Sequence, residues 1–574
     1  MFADQDQPGR PAPLWAIAWF VSLILCTVVV RLADPTGWLG SDDAAYHSAA
    51  EHVLTGTPIQ RLHHHYARMA VILPIAASMA AFGNNAQAVA LPATVASVVC
   101  VVLVVLLGRR LWGWWEGLFA GTVVAVLPYF RVLSTTAYPD VHVCLWTTAA
   151  ILLAFMAVRT ESRRHAVVLW SLAGVTFTLA VSAKVFAVAA LAGIACVPIV
   201  MRCGVNFGPL PHGRGTERFV PSCLRAFVPF FLGALTLLLI DGLFYSWIAG
   251  DFFFSLRATL SASDNVPSIA AESPTQAGFL ALVWDRLAFF YRQSTSGWGV
   301  IAIPFWWILL CAALFDRPAR ALVAWAFATF ALVAFVPVSF KNGAQAYPIF
   351  HGRHILPACV PFALCLAWII CRAGEATLGP AGRRRALPIA MTVIVAIAYV
   401  ETRSLNGFRD RETSRVGAAA GQMIPSIPDD GRRIFMTPSM YWRFRVLFPP
   451  ELRSRLRVAA AEGAPAWWKD ACVDIAARRE VLPSPHDAYL IATPRQLRGD
   501  AEQWDYGVSL PPADLTPWQA VRPISTFVRG ADKRIRPASG LNDPLETVLV
   551  LAGEGGKAPQ SAVSQPQARL HTDR

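Results

Sequence analysis

Over the first 404 positions, runs of roughly 15 to 23 residues with almost no charge alternate with short polar stretches, and most are long enough to cross a hydrocarbon core of about 30 Å. The pattern predicts about eleven transmembrane helices, over residues 14–32, 86–108, 117–131, 137–158, 166–181, 184–201, 225–247, 299–315, 320–338, 353–371 and 386–403. Three longer polar segments interrupt the series: 33–85, 248–298 and everything after about 404. The first holds MAVILPIAASMAAFG, an apolar run of about 14 residues, short for a span and suited to a helix lying in the interface. ALVWDRLAFFYRQ in the second, mixed aromatic and charged, reads the same way.

From Asn406 the apolar runs shorten to strand length while charges and prolines rise. RRIFMTP, DAYLIATP, WQAVRPISTFV and TVLVLAG read as β-strands, and PAWWKDACVDIAARR as one of the helical or irregular stretches between them. The division expected is a membrane module over 1–404, a small α/β domain over 405–552, and a tail over 553–574 too rich in Gly, Pro and Gln to fold. No repeat and no phosphate-binding Walker loop stands out.

Composition agrees with a membrane protein: 55% of the 574 residues are hydrophobic and 15% charged, against about 25% charged in soluble chains. The net charge of +13 does not point to nucleic acid, because the basic residues gather in alternate loops. With the N-terminus cytoplasmic, Lys and Arg are roughly three times as dense in the inner loops as in the outer ones. That places a multi-pass protein in the cytoplasmic membrane with its C-terminal domain outside. Arg31, at the outer end of the first span, is an exception. The tail before that span lacks a basic n-region and a cleavage site, so the first helix is expected to stay. Ten of the eleven cysteines fall in spans or inner loops, Cys472 being the other, and no disulfide framework is implied.

The chemistry is sought in the outer segments. GSDDAAYHSAAEHVLTG, residues 40–56, predicts a helix of about three turns from Asp43 to Thr55, with Asp42 at or near its N-cap and Gly56 at its C-terminal cap. Capping alone explains one carboxylate. Two adjacent ones beside a membrane, with Asp43, His47 and Glu51 at helical spacing, are costly unless they serve a purpose.

A first span, Asp42-Asp43-x-x-Tyr46 on a juxtamembrane helix, then Arg68 and LPIAASMAAFG, resembles the GT-C glycosyltransferases, in particular the protein O-mannosyltransferase and aminoarabinose transferase group. LGRRLWGWWEGLFAG, LPYFRVLSTTAYPD and FHGRHILPACVPFAL continue the resemblance, which covers residues 14 to about 404. The second acidic position, commonly Glu in the group, is Asp43 here, and HHHYARMAVILP replaces the Lys-Pro-Pro stretch of the aminoarabinose transferases.

The resemblance implies an inverting glycosyltransferase that takes a sugar from a polyprenyl-phosphate donor and passes it to a protein, lipid or glycan acceptor on the outer face. It also implies catalytic roles for Asp42, Asp43 and Asp140, with Asp42 as the base. A lipid phosphate leaving group needs positive charge nearby, for which Arg68, Lys341, His351 and Arg353 are the outer-face candidates and Lys184 is either a phosphate contact or a snorkelling anchor. Tyr46 completes the substrate-binding set. No cofactor is required, although a divalent metal remains open: three consecutive histidines are not expected to converge on one ion, but His63 or His65 could join a carboxylate. The competing class is a transporter or flippase for lipid-linked sugars, which should show two similar halves and broken spans at mid-membrane. Neither is visible here.

Overall fold

The computed structural model describes residues 12–33, 35–40, 42–60, 62–202, 216–261, 288, 305–335, 337–339, 345–346, 352–379, 382, 386–397, 420, 424–427, 429–459, 478–480, 488–492, 518–525 and 547–553. The chain divides into two units, Met1–Ser414 and Arg415–Arg574.

The first unit is helical. Its helices are α1 (Leu14–Ala33), α2 (Asp42–Thr55), α3 (Met69–Phe82), α4 (Ala86–Leu111), α5 (Trp114–Val126), α6 (Pro128–Leu133), α7 (Asp140–Arg159), α8 (Arg163–Ala183), α9 (Ala190–Arg202), α10 (Thr216–Ala249), α11 (Phe254–Ser261), α12 (Phe305–Phe315), α13 (Arg317–Phe335) and α14 (Cys359–Leu378). Among the described residues six helical segments are long and apolar enough to cross a membrane: 14–33, 86–111, 140–159, 163–183, 226–249 and 353–378. Shorter apolar helices over 69–82, 114–126, 185–201, 305–315 and 386–397 accompany them.

Local sequence explains where several expected spans break. Pro128 has no N–H to continue the ladder, so the run expected over 117–131 ends as α5 and restarts as α6 with the proline in its first turn. The run from residue 184 opens with a 3₁₀ turn, Val185–Ala189, before α9. Helix α13 starts at Arg317 rather than at 320, because Asp316 accepts the Ala319 amide at 2.9 Å and the Trp112 indole at 3.1 Å, and the expected span gives way to a short strand, β1 (Pro337–Ser339), paired antiparallel with β2 (Gln345–Ala346).

Helices α7 and α14 form the middle, buried on nearly every side, whereas α1 and α10 present Leu25, Val29, Leu32, Leu235, Leu238 and Leu243 outward, as lipid-facing helices do. Small residues set the closest approach. A Cβ on Gly174 of α8 would stand 1.9 Å from the Phe230 carbonyl oxygen of α10, and one on Gly233 of α10 would stand 2.0 Å from the Ser171 carbonyl oxygen of α8.

Arg31 is buried between helices rather than lying in an outer loop. It donates to the Ala125 carbonyl at 3.0 Å and to Ser97 Oγ at 3.3 Å, which satisfies an orphan carbonyl at the end of α5. Its position therefore carries no information about which loops face inward.

The second unit holds a six-stranded sheet in the order β5-β4-β3-β6-β8-β7, from β3 (Arg433–Met436), β4 (Leu456–Ala459), β5 (Arg479–Glu480), β6 (Ala488–Ala492), β7 (Trp518–Ser525) and β8 (Thr547–Gly553). Strands β3 to β6 pair in parallel, and β8 runs antiparallel to both β6 and β7. All four expected strands are present. LRVA forms β4 without having been foreseen, because Arg457 breaks its apolar character while Leu456 and Val458 face the core. Arg479, which ends a stretch expected to be helical or irregular, is in β5, with Arg478 in the turn before it; the rest of that stretch, most of the 281–293 helix and the tail beyond Gly553 lie outside the described residues.

Candidate active site

Helix α2 begins at Asp42, and its two carboxylates point to different tasks. Asp43 is buried and folds back on the turn before the helix: Oδ2 accepts the Leu39 and Gly40 amides at 2.6 and 3.3 Å, and Oδ1 accepts the Ala44 amide at 3.0 Å. It closes the tight entry that Gly40 makes possible with φ of 66°. Asp42 is one-quarter exposed and faces other elements, with Oδ2 3.3 Å from Arg353 Nη1 and Oδ1 3.6 Å from His65 Nε2. Burial by itself raises the Asp42 carboxyl, but the charges of Arg353, His65 and Arg68 outweigh it and hold the group well below the usual carboxylate range.

The segment after α2 supplies the next wall. Residues His64–Ala67 form a 3₁₀ turn, and Arg68 links it to α3. Arg68 donates to the Tyr46 hydroxyl one turn into α2, and its guanidinium sits 5.5 Å from the centre of the Tyr46 ring. The His65 ring meets that tyrosine edge-on at 5.3 Å.

The third wall comes from α7 and the segment before α14. Asp140, the first residue of α7, is buried and receives Lys184 Nζ at 2.6 Å from the end of α8; its Oδ2 is buried without a hydrogen-bond partner among the described residues. Arg353 lies in the 3₁₀ turn Gly352–Ala358 and stacks 4.9 Å from the centre of the Tyr138 ring, two residues before Asp140. Among the described residues its buried Nε also has no hydrogen-bond partner. A carboxylate oxygen and a guanidinium N–H that are both buried and unsatisfied in one cluster are what a site awaiting a polar ligand presents.

The fold thus brings together Asp42, Tyr46, His65, Arg68 and Arg353 around one point, with the Asp140–Lys184 pair joined to them through Tyr138 and Arg353. Lys341 and His351 lie outside the described residues. Tyr138 was not singled out from the sequence; its place beside Pro139 and Asp140 was the available signal.

The three histidine rings lie close together, because His63 is extended and His64 and His65 open the 3₁₀ turn. One ring nitrogen from each lies within 4.8 Å of the others, and the ring centres are 4.0 to 4.7 Å apart with the planes tilted by 30 to 41°. A tetrahedral zinc site with bonds of about 2.0 to 2.1 Å needs nitrogens about 3.3 Å apart, closer than the 4.8 Å that spans these three. Burial, then His65, Arg68 and His63, hold the His64 imidazole well below its ordinary pKa, and burial lowers His65 against the pull of Asp42.

Comparison with known proteins supports the fold. Residues 70–204 match the profile of dolichyl-phosphate-mannose-protein mannosyltransferases. The structure superposes on apo ArnT from Cupriavidus metallidurans with a TM-score of 0.54 at 13% identity, over 93% of this chain and 97% of that one. It also superposes on ArnT from Cupriavidus metallidurans bound to undecaprenyl phosphate, with a TM-score of 0.55 at 13% identity, over 94% and 98%. No curated protein matches the chain by sequence. The expected resemblance to the mannosyltransferase and aminoarabinose transferase group is borne out at the level of the GT-C fold.

Proposed function

We propose that this GT-C chain is an inverting glycosyltransferase that moves a sugar from a polyprenyl-phosphate donor to an acceptor on the outer face of the membrane, with Asp42 as the base. One observation carries the reading: a carboxylate kept ionised at the start of a juxtamembrane helix, between guanidinium groups on two separate elements. The profile match over residues 70–204 and the undecaprenyl phosphate in the ArnT structure are consistent with a lipid-phosphate donor.

In this reaction the bond from the sugar's anomeric carbon to the phosphate oxygen breaks while one to the acceptor oxygen or nitrogen forms on the opposite face. The electron pair leaves with the polyprenyl phosphate, whose second pKa of about 6 lets it depart without a general acid. Arg353 and Arg68 stabilise the charge that develops on it. The acceptor proton passes to Asp42. A carboxylate with a depressed pKa is a weak base, so it orients the acceptor and takes the proton late, in a loose, oxocarbenium-like transition state. Tyr46 and Tyr138 hold the two arginines in place, Asp43 supports the helix start, and the Asp140–Lys184 pair offers its free carboxylate oxygen to a sugar hydroxyl.

The test is transfer from a panel of polyprenyl-phosphate sugars in proteoliposomes. Asp42→Asn, which keeps the shape but removes the base, is expected to lower kcat by about 10²- to 10⁴-fold. Unchanged turnover in the variant would remove Asp42 from the mechanism. Movement of the lipid across the bilayer without transfer would favour the flippase.

A further inference from the structure

Helix α10 buries Ala226, Phe230, Ala234, Leu237, Asp241, Tyr245 and Ile248, a stripe three or four residues apart, and turns Leu235, Leu238, Leu239, Leu243 and Trp247 outward. A carboxylate in that stripe, inside an apolar membrane-crossing segment, is costly and calls for a role. Among the described residues Asp241 has hydroxyl partners: Ser182 Oγ of α8 donates to its Oδ1 at 3.4 Å, and Ser255 of α11 is within hydrogen-bonding reach.

Those partners lead to the backbone between Tyr66 and Ala70. The Ala70 amide, in the first turn of α3, donates to Ser182 Oγ at 3.4 Å. Ser255 Oγ donates to the Ala67 carbonyl at 3.2 Å. Tyr245, one turn after Asp241 on the same face, donates to the Tyr66 carbonyl at 3.0 Å, and the Met69 amide faces its hydroxyl. Lower on the same helix the Ile248 carbonyl accepts the Ile59 amide at 2.9 Å. No side chain of α3's own entry caps it, so Asp241, acting through Ser182, supplies negative charge at the N-terminus of α3.

Arg68 belongs to this gripped segment and His65 immediately precedes it, and both face Asp42 and Tyr46. We propose that Asp241 is a positioning residue of the active site: with Ser182, Tyr245 and Ser255 it fixes the backbone of residues 66–70, so that His65 and Arg68 stay against Asp42. The inference rests on the proposed transfer reaction for its kinetic consequence, but not for its structural one.

Two measurements on the full-length protein test it, using Asp241→Asn and the milder Ser182→Ala. Hydrogen exchange should accelerate in peptides covering residues 62–72 and remain unchanged in α7. In the transfer assay kcat should fall roughly ten- to a hundredfold, the range expected when a catalytic group is displaced by about 1 Å. The acid limb of the kcat profile should also move to higher pH, because Asp42 would keep Arg353 beside it but lose part of the pull of His65 and Arg68, with His64, Lys184 and Asp140 remaining around the site. Asp241→Glu should recover part of both. Exchange that rises uniformly, or that stays unchanged in both variants, overturns the proposal, as does a reduced yield of protein with wild-type kcat and an unmoved acid limb. If the wild type transfers no sugar, the proposed function fails while the exchange result still decides the role of Asp241.

Discussion

At the residue scale the two adjacent aspartates divide the work between them. Asp43 spends its oxygens on three backbone amides, whereas Asp42 spends its own on side chains from two other elements. The sign of the pH dependence follows from Asp42. Because its native pKa is depressed, its contribution to stability is complete above the unfolded value of about 3.9 and is lost only as pH falls through the lower native value. Arg353→Gln removes the largest of the charges that depress it, so the acid limb of kcat should move to higher pH and the KM for the donor should rise, as read from rate profiles of variant and wild type. The sequence singled out Asp42 as the base, but it also gave Asp42 the capping role, whereas Asp43 is the residue that turns back on the chain before the helix. N-cap geometry depends on the φ of Gly40 and on which oxygen turns back, and neither leaves a mark in the spelling. Asp241 escaped notice for a related reason: one carboxylate in a long apolar run looks like noise until its hydroxyl partners on α8 and α11 are known.

At the scale of elements, helix packing depends on backbone approach as much as on apolar stripes. Helices α8 and α10 cross where Gly174 meets Phe230 and Gly233 meets Ser171, with no room for a Cβ. Gly233→Val forces the pair apart and is expected to destabilise the protein by about 1–3 kcal/mol, seen as a lower midpoint in thermal unfolding in detergent. This crossing matters for the site, since α8 ends at Lys184 and carries Ser182, while α10 carries Asp241. The apolar runs themselves were legible, and so were four strands of the second unit. Helix breaks were less so: Pro128 was visible as a letter, but its run was long enough to read as unbroken. Strand β4 was hidden by Arg457, which interrupts its apolar run and pairs with Glu480 on the neighbouring strand β5 at 2.6 Å.

At the scale of the whole molecule, the charge asymmetry between loops proposes an orientation with the site outside. With the native cysteines replaced, a cysteine at exposed Leu62, beside the histidine turn, should react with a membrane-impermeant maleimide on intact cells. One at exposed Arg163, the first residue of α8, should react only after permeabilisation. The reverse pattern would invert the topology. The two guanidinium groups around Asp42 have a further effect, on turnover. Under the proposed reaction the donor's phosphate is a diester with a single negative charge, and the spent carrier is a monoester with about −1.5 to −2. Arg68 and Arg353 therefore hold the product more firmly than the substrate. The first round should outpace the rounds that follow, and the enzyme's throughput should be governed by how quickly the emptied lipid carrier is drawn away into the bilayer.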